Sequence, residues 1–259
     1  YDMLRGTSAF NGDISGWNVS SVTNMYGMFY YAPVFNGDIS GWDVSSVTTM
    51  HVMFAGTSAF NGDISGWNVT SVTSMESMFY SASAFNGDIS GWNMSSVTNM
   101  EQMFSLNFVF NGDISGWDVS SVTNMYGMFK FASVFNGDIS GWDVTSVTSM
   151  ESMFYSASAF NQQLCWDVTG KTVTDMFTGT DGASTIVCAP PTRQPTSQPT
   201  SQPTSQPTRD TSFKKKFKDE LDDVASDVKC SLKQVQYGIS HLLKSIRRAI
   251  QPRGYNADL

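Results

Sequence analysis

The stretch FNGDISGWDVSSVTTMHVMF, residues 35–54, decides how the chain is read. Its first eight residues recur from Phe10, Phe35, Phe60, Phe85, Phe110 and Phe135, always 25 residues apart. A fixed period of 20–50 residues marks an array of stacked units, because a unit this short cannot bury its own apolar face. Within the unit, Ile39, Trp42 and Val44 predict one short parallel strand per turn. Val47, Met50, Met53 and Phe54 follow at i, i+3, i+6 and i+7, which predicts a short α-helical or 3₁₀ segment. Ser45 or Ser46 is placed to cap it, and Asn36-Gly37 marks the turn back.

The Ile39, Trp42 and Val44 positions match the Leu-x-x-Leu-x-Leu spacing of leucine-rich repeats. Together with FNGDIS, the phrases WDVSSVTNMYGMF (117–129) and WNVTSVTSMESMF (67–79) resemble the 25–26-residue repeats of bacterial surface proteins, the BspA-like leucine-rich-repeat group. Such repeats also occur in secreted proteins of unicellular eukaryotes. The resemblance covers about residues 1–180. It implies a right-handed solenoid of strand and helix and a secreted or surface-displayed protein, and it brings no catalytic residues.

Composition separates the chain into modules. Residues 1–208 hold 16 acidic and 4 basic side chains, net −12, whereas 209–259 hold 7 acidic and 11 basic ones, net +4. An acidic body lacks the basic groove that nucleic acid demands. No apolar run reaches the roughly 18 residues of a membrane span. All 15 methionines precede Asp181, which confines the core to residues 1–188. Tyr1-Asp2-Met3-Leu4 aligns one period before Tyr26-Gly27-Met28-Phe29, so the chain opens inside a repeat and the natural protein is expected to extend upstream.

The last copy decays into FNQQLCW, and residues 161–188 read as a terminal cap. Cys165 and Cys188 bracket it, as a stapling disulfide or as two buried thiols. Residues 189–210 are a Pro-Thr-Ser-Gln stalk of polyproline II character, in which Thr192, Thr196, Thr200, Thr204 and Thr208 suit O-glycosylation. Over 211–251, Phe213, Phe217, Leu221, Val224, Val228, Leu232, Val235, Ile239, Leu242 and Ile246 step by three or four. They predict an amphipathic helix whose stripe must meet a partner, another protein or another copy. Its Lys214, Lys215, Lys216, Lys218, Arg247 and Arg248 could also address a membrane surface, although interleaved acids favour helix pairing. Pro252 ends the helix, leaving 252–259 as a tail. Cys230 is odd by count and open to intermolecular pairing.

Candidate chemistry is sparse. His51 and His241 are the only histidines, and no nucleophile elbow, phosphate loop or His pair accompanies them. No enzyme is expected. Asp13, Asp38, Asp63, Asp88, Asp113 and Asp138 form a column that could hold calcium, the only cofactor considered; alternatively each carboxylate caps its own turn. Asn18, Asn68 and Asn93 stand in Asn-x-Ser/Thr glycosylation sequons, with Asp43, Asp118 and Asp143 at the same position of other repeats. If Ile14, Trp17 and Val19 point inward, Ser15, Asn18 and Ser20 point out, giving a uniform polar face suited to a repetitive glycan, mineral or ice ligand, or to self-association. The positions that vary, 26–27 and 30–34, fall off that expected strand face, which argues against a receptor with one tailored protein ligand. The reading reached is a secreted or cell-surface adhesion protein presenting a repetitive surface on a stalk. Its alternative is a self-assembling subunit of an extracellular fibre or coat.

Overall fold

A computed structural model describes residues 2–181. The chain divides into two units, Tyr1–Pro190 and Pro191–Leu259. The second lies outside the described residues, and with it the stalk threonines, the expected 211–251 helix and Cys230.

The first unit is a stack of 25-residue coils, but the coils are made of turns. This corrects the expectation of a strand and a helix in each repeat. Among the described residues there is no helix, and pairing between coils reduces to isolated parallel bridges that join Asn24, Thr49, Ser74, Asn99, Asn124, Ser149 and Thr172 in sequence. The expected strand at 39–44 is bent by turns. The Trp42 N–H closes on the Ile39 carbonyl at 3.2 Å, and the Val47 N–H on that of Val44 at 2.9 Å. Ser45 and Ser46 cap no helix. Ser45 donates to Asp43, and the Ser46 hydroxyl reaches the Ser20 carbonyl of the preceding coil.

The expected helical segment is instead where coils are tied together. Met25, Gly27, Phe29 and Tyr31 donate their N–H groups to Thr49, His51, Met53 and Ala55 of the next coil at 2.8–3.0 Å. Between them, the N–H groups of Met28, Tyr30 and Ala32 fold back onto Met25, Gly27 and Phe29. Alternate amides thus leave the coil along the stack, and no α-helical i to i−4 series can form. The switch is set by left-handed residues four apart, Gly27 (φ +59°) and Tyr31 (φ +53°), repeated as Val52 and Gly56, Ser77 and Ser81, Gln102 and Leu106, and onward to Asp175 and Gly179. A left-handed L-residue costs about 1–2 kcal/mol, which the regular ladder offsets by satisfying a backbone donor and acceptor at each step.

The core follows from the same periodicity. Phe29, Phe54, Phe79, Phe104, Phe129 and Phe154 form one column, with rings 5.4–5.8 Å apart. Phe35, Phe60, Phe85, Phe110, Phe135 and Phe160 form a second at 6.0–6.2 Å. Within a coil the two columns meet closely, as in Phe79–Phe85 at 3.9 Å. The tryptophan column lies beyond, with Trp17–Trp42 and Trp117–Trp142 at 6.3–6.4 Å. Each indole N–H from Trp42 to Trp142 donates to an isoleucine carbonyl one coil back, at 3.1 Å. Such anchoring is what a buried Trp requires. Paired methionine columns fill the remaining space.

Candidate interaction surface

Two exposed aspects of the stack differ in kind. The first is a polar wall built from the FNGDISGW phrase and the residues after it. Ile14 and Val19 are buried and Ser15 and Asn18 exposed, as the alternation predicts, while Ser20 is half-buried. Trp17, in the first coil, is 38% exposed, and its equivalents from Trp42 to Trp142 are buried.

Asp13, Asp38, Asp63, Asp88, Asp113 and Asp138 all adopt one arrangement on the wall. The Oδ1 of each accepts the N–H and the hydroxyl of the serine two residues on, at 2.7–3.0 Å. These bonds favour the ionised form and hold the carboxyl groups below their ordinary pKa. The Ser40 N–H leads at Asp38 and the Ser65 hydroxyl at Asp63. Neighbouring carboxylates oppose the shift, as Asp13 and Asp63 do at Asp38. Among the described residues no three His, Cys, Asp or Glu side chains converge in a manner able to hold a metal ion.

The glycosylation sequons occupy a second column of the same turn. Asn18 and Asn93 each accept the N–H and hydroxyl of Ser20 and Ser95, and Asn68 accepts the Thr70 N–H. Asp43, Asp118 and Asp143 do the same at their positions. The turn accepts Asn and Asp alike, so folding alone accounts for an Asn/Asp-x-Ser/Thr pattern. A third column joins coils directly. The Asn11 Oδ1 takes the Asn36 N–H, and the contact recurs up to Asn136 and Asn161 at 2.8–3.1 Å. A fourth consists of threonines, in which Thr48, Thr73, Thr98, Thr123 and Thr148 each send the hydroxyl to the carbonyl of the threonine one coil back.

Cys165 is disulfide-bonded. Cys188 and Cys230 both lie outside the described residues. No helix among the described residues is long and apolar enough to cross a membrane.

A family model described as "Mycoplasma protein of unknown function, DUF285" matches residues 1–108 and, in a second overlapping copy, 85–187. The chain belongs to the DUF285 family. DUF285 membership establishes a repeat protein, without tying the repeats specifically to the BspA-like group. No curated protein and no solved structure matches this DUF285 chain.

The second aspect is the ladder face, and here the structure revises the reading of variability. The coil-to-coil ladder runs through 24–31, so the variable positions 26, 27, 30 and 31 lie on it. Tyr26, His51, Glu76, Glu101, Tyr126 and Glu151 form one half-exposed column. His51 Nε2 lies 3.2 Å from Glu76 Oε1, and Asn99 Nδ2 donates to Glu76 Oε2 at 3.0 Å. Asn124 Nδ2 holds Glu101 Oε2 at 2.9 Å, and Tyr26 meets the His51 ring edge-on at 5.0 Å. Sequence reasoning missed this face because it assigned the ladder to 39–44. The substitutions themselves were the available signal, since the ones that change side-chain class most cluster at two spacings within the unit.

Proposed function

We propose that this chain is a non-enzymatic interaction protein, displayed at the cell surface or secreted, whose stacked repeats present side chains in register to an extracellular partner. The observation that carries this reading is the division of labour between residues. Aromatic and methionine columns are consumed by the core, and the polar side chains are held by turns and ladders in fixed rows. Repetition of one geometry along a stack gives many weak contacts a common alignment, and such contacts reinforce one another through effective concentration.

Three further features support the reading. The disulfide at Cys165 suits an oxidising compartment. The resemblance of 67–79 and 117–129 to BspA-like surface repeats points to the same location. The wall aspartates are engaged in capping turns. The test has two parts. Antibody raised against the chain should label intact, unpermeabilised cells of the producing organism, or its medium. The full chain should retain particular members of glycan and peptide arrays without altering their mass. Exclusively intracellular labelling, or chemical turnover of a retained member, would overturn the proposal.

A further inference from the structure

We infer that the ladder face, not the uniform wall, is the recognition surface, and that its partner is an extended polypeptide segment carrying Lys or Arg side chains. The inference rests on the display reading above and names the face and the partner for it.

Three observations lead here. The first is where the coils differ. The wall repeats Asp-x-Ser in coil after coil, and its second column varies only between Asn and Asp and between Ser and Thr. The column at 26, 51, 76, 101, 126 and 151 reads Tyr, His, Glu, Glu, Tyr, Glu. Its neighbour at 30, 55, 80, 105, 130 and 155 reads Tyr, Ala, Tyr, Ser, Lys, Tyr, with Ala55, Ser105 and Tyr155 buried. Discrimination between partners needs features that differ from place to place, and the first of these columns supplies an aromatic ring, an imidazole and carboxylates in turn.

The second is its chemistry. Three carboxylates, Glu76, Glu101 and Glu151, share their column with Tyr26 and Tyr126, and Glu76 and the half-buried Tyr80 share a coil. A carboxylate beside an aromatic ring suits a guanidinium or ammonium group, which gains a charged hydrogen bond and a cation–π contact together. The chain's own cations show the mode of contact. The Arg5 guanidinium lies over Tyr30, 4.7 Å from the ring centroid, and the Lys130 ammonium lies 5.1 Å from that of Tyr155. The Glu76 carboxylate is itself within 3.2 Å of a nitrogen, His51 Nε2 of the preceding coil.

The third is rigidity. Asn99 and Asn124 fix Glu76 and Glu101 from the neighbouring coil, so these carboxylates lose little side-chain freedom on binding. The backbone beneath them is tied at every second residue. Residues one coil apart follow the stack axis, so a segment in extended conformation can lie along it and turn alternate side chains toward the face. Net negative charge over residues 1–208 favours the approach of such a segment.

The test uses the full chain and a synthetic peptide of alternating Arg and Gly, with an alternating Glu and Gly peptide for comparison and a glycan array in parallel. The triple variant Glu76→Gln, Glu101→Gln, Glu151→Gln should weaken Arg–Gly binding about tenfold, as three exposed charge pairs would. The triple variant Asp38→Asn, Asp63→Asn, Asp88→Asn removes the same charge from the wall and keeps an oxygen for each capping turn. It should change binding by less than about twofold. Equal loss in both variants would mean diffuse attraction to an acidic protein and would overturn the inference. Retention of a glycan, with no preference for the Arg–Gly peptide over the Glu–Gly one, would also overturn it and leave the display reading standing. Retention of neither peptide nor glycan would remove both.

Discussion

Replacing Trp92 with Phe tests the architecture at one buried point. Trp92 is 3% exposed, its ring lies 6.3 Å from Phe79, and its Nε1 donates to the Ile64 carbonyl at 3.1 Å. That carbonyl also accepts the Trp67 N–H at 3.1 Å, so the substitution does not orphan it. The direct loss is therefore one ordinary hydrogen bond, about 1 kcal/mol. Phe leaves roughly 40 Å³ unfilled, and at about 24 cal/mol per Å³ this adds about 1 kcal/mol. The sum, about 2 kcal/mol, should lower the urea midpoint by roughly 1 M for a denaturant slope near 2 kcal/mol/M. Trp17 provides the comparison. It is 38% exposed, and its indole N–H makes no equivalent bond among the described residues, so Trp17→Phe should cost less than half as much. Equal midpoint shifts for the two variants would refute the account of the tryptophan column.

Further predictions address turns and backbone. A β-carbon on Gly62 would sit 3.1 Å from Phe60 Cε2, whereas one on Gly66 would meet nothing within 4 Å. Gly62→Ala should therefore lower the thermal midpoint, and Gly66→Ala should leave it unchanged or raise it slightly. Val52 holds φ +50° at the position that Gly27 and Gly127 fill in other coils. Val52→Gly should stabilise by up to about 1 kcal/mol in urea titration, since relief of the left-handed strain exceeds the added chain entropy. The wall aspartates set a pH dependence. Their folded-state pKa values lie below the ordinary 3.8, so the unfolded chain takes up protons first as pH falls. Their stabilisation is complete above 3.8 and is lost as pH drops through the folded-state values. The urea midpoint should decline in that window, and less steeply in the Asp38→Asn, Asp63→Asn, Asp88→Asn variant.

The period and the membership of the core were legible in the sequence, since Phe35, Ile39, Trp42, Val44, Val47, Met50, Met53 and Phe54 are all buried. Spacing identifies which residues face inward, and several backbones can deliver the same inward set. Val47, Met50 and Met53 follow a three-residue rhythm because three-residue turns close on one another, as the Met53 N–H does on the Met50 carbonyl. A helix would give a similar rhythm. The deciding feature was the left-handed conformation at 27, 31 and their equivalents. Glycine reveals it at Gly27, Gly56, Gly127 and Gly179, but Tyr31, Val52 and Leu106 conceal it. With the ladder misplaced, the variable column seemed incidental. The aspartate column could be read either as a cation ladder or as capped turns, and the positions of the Ser15, Ser40 and Ser65 hydroxyls establish the capping bonds.

The most direct measurement is residue-resolved amide hydrogen exchange across residues 99–119, where the sequence is distinctive enough to assign. The amides of Met100, Gln102, Phe104 and Leu106 bond to the next coil at 2.8–2.9 Å, while those of Gly112, Asp113 and Ile114 make no backbone bond. The account predicts strong protection at the first four and fast exchange at the other three. Protection centred on 112–119, with 100–106 exchanging freely, would return the ladder to the FNGDISGW phrase and remove the recognition surface built on 24–31.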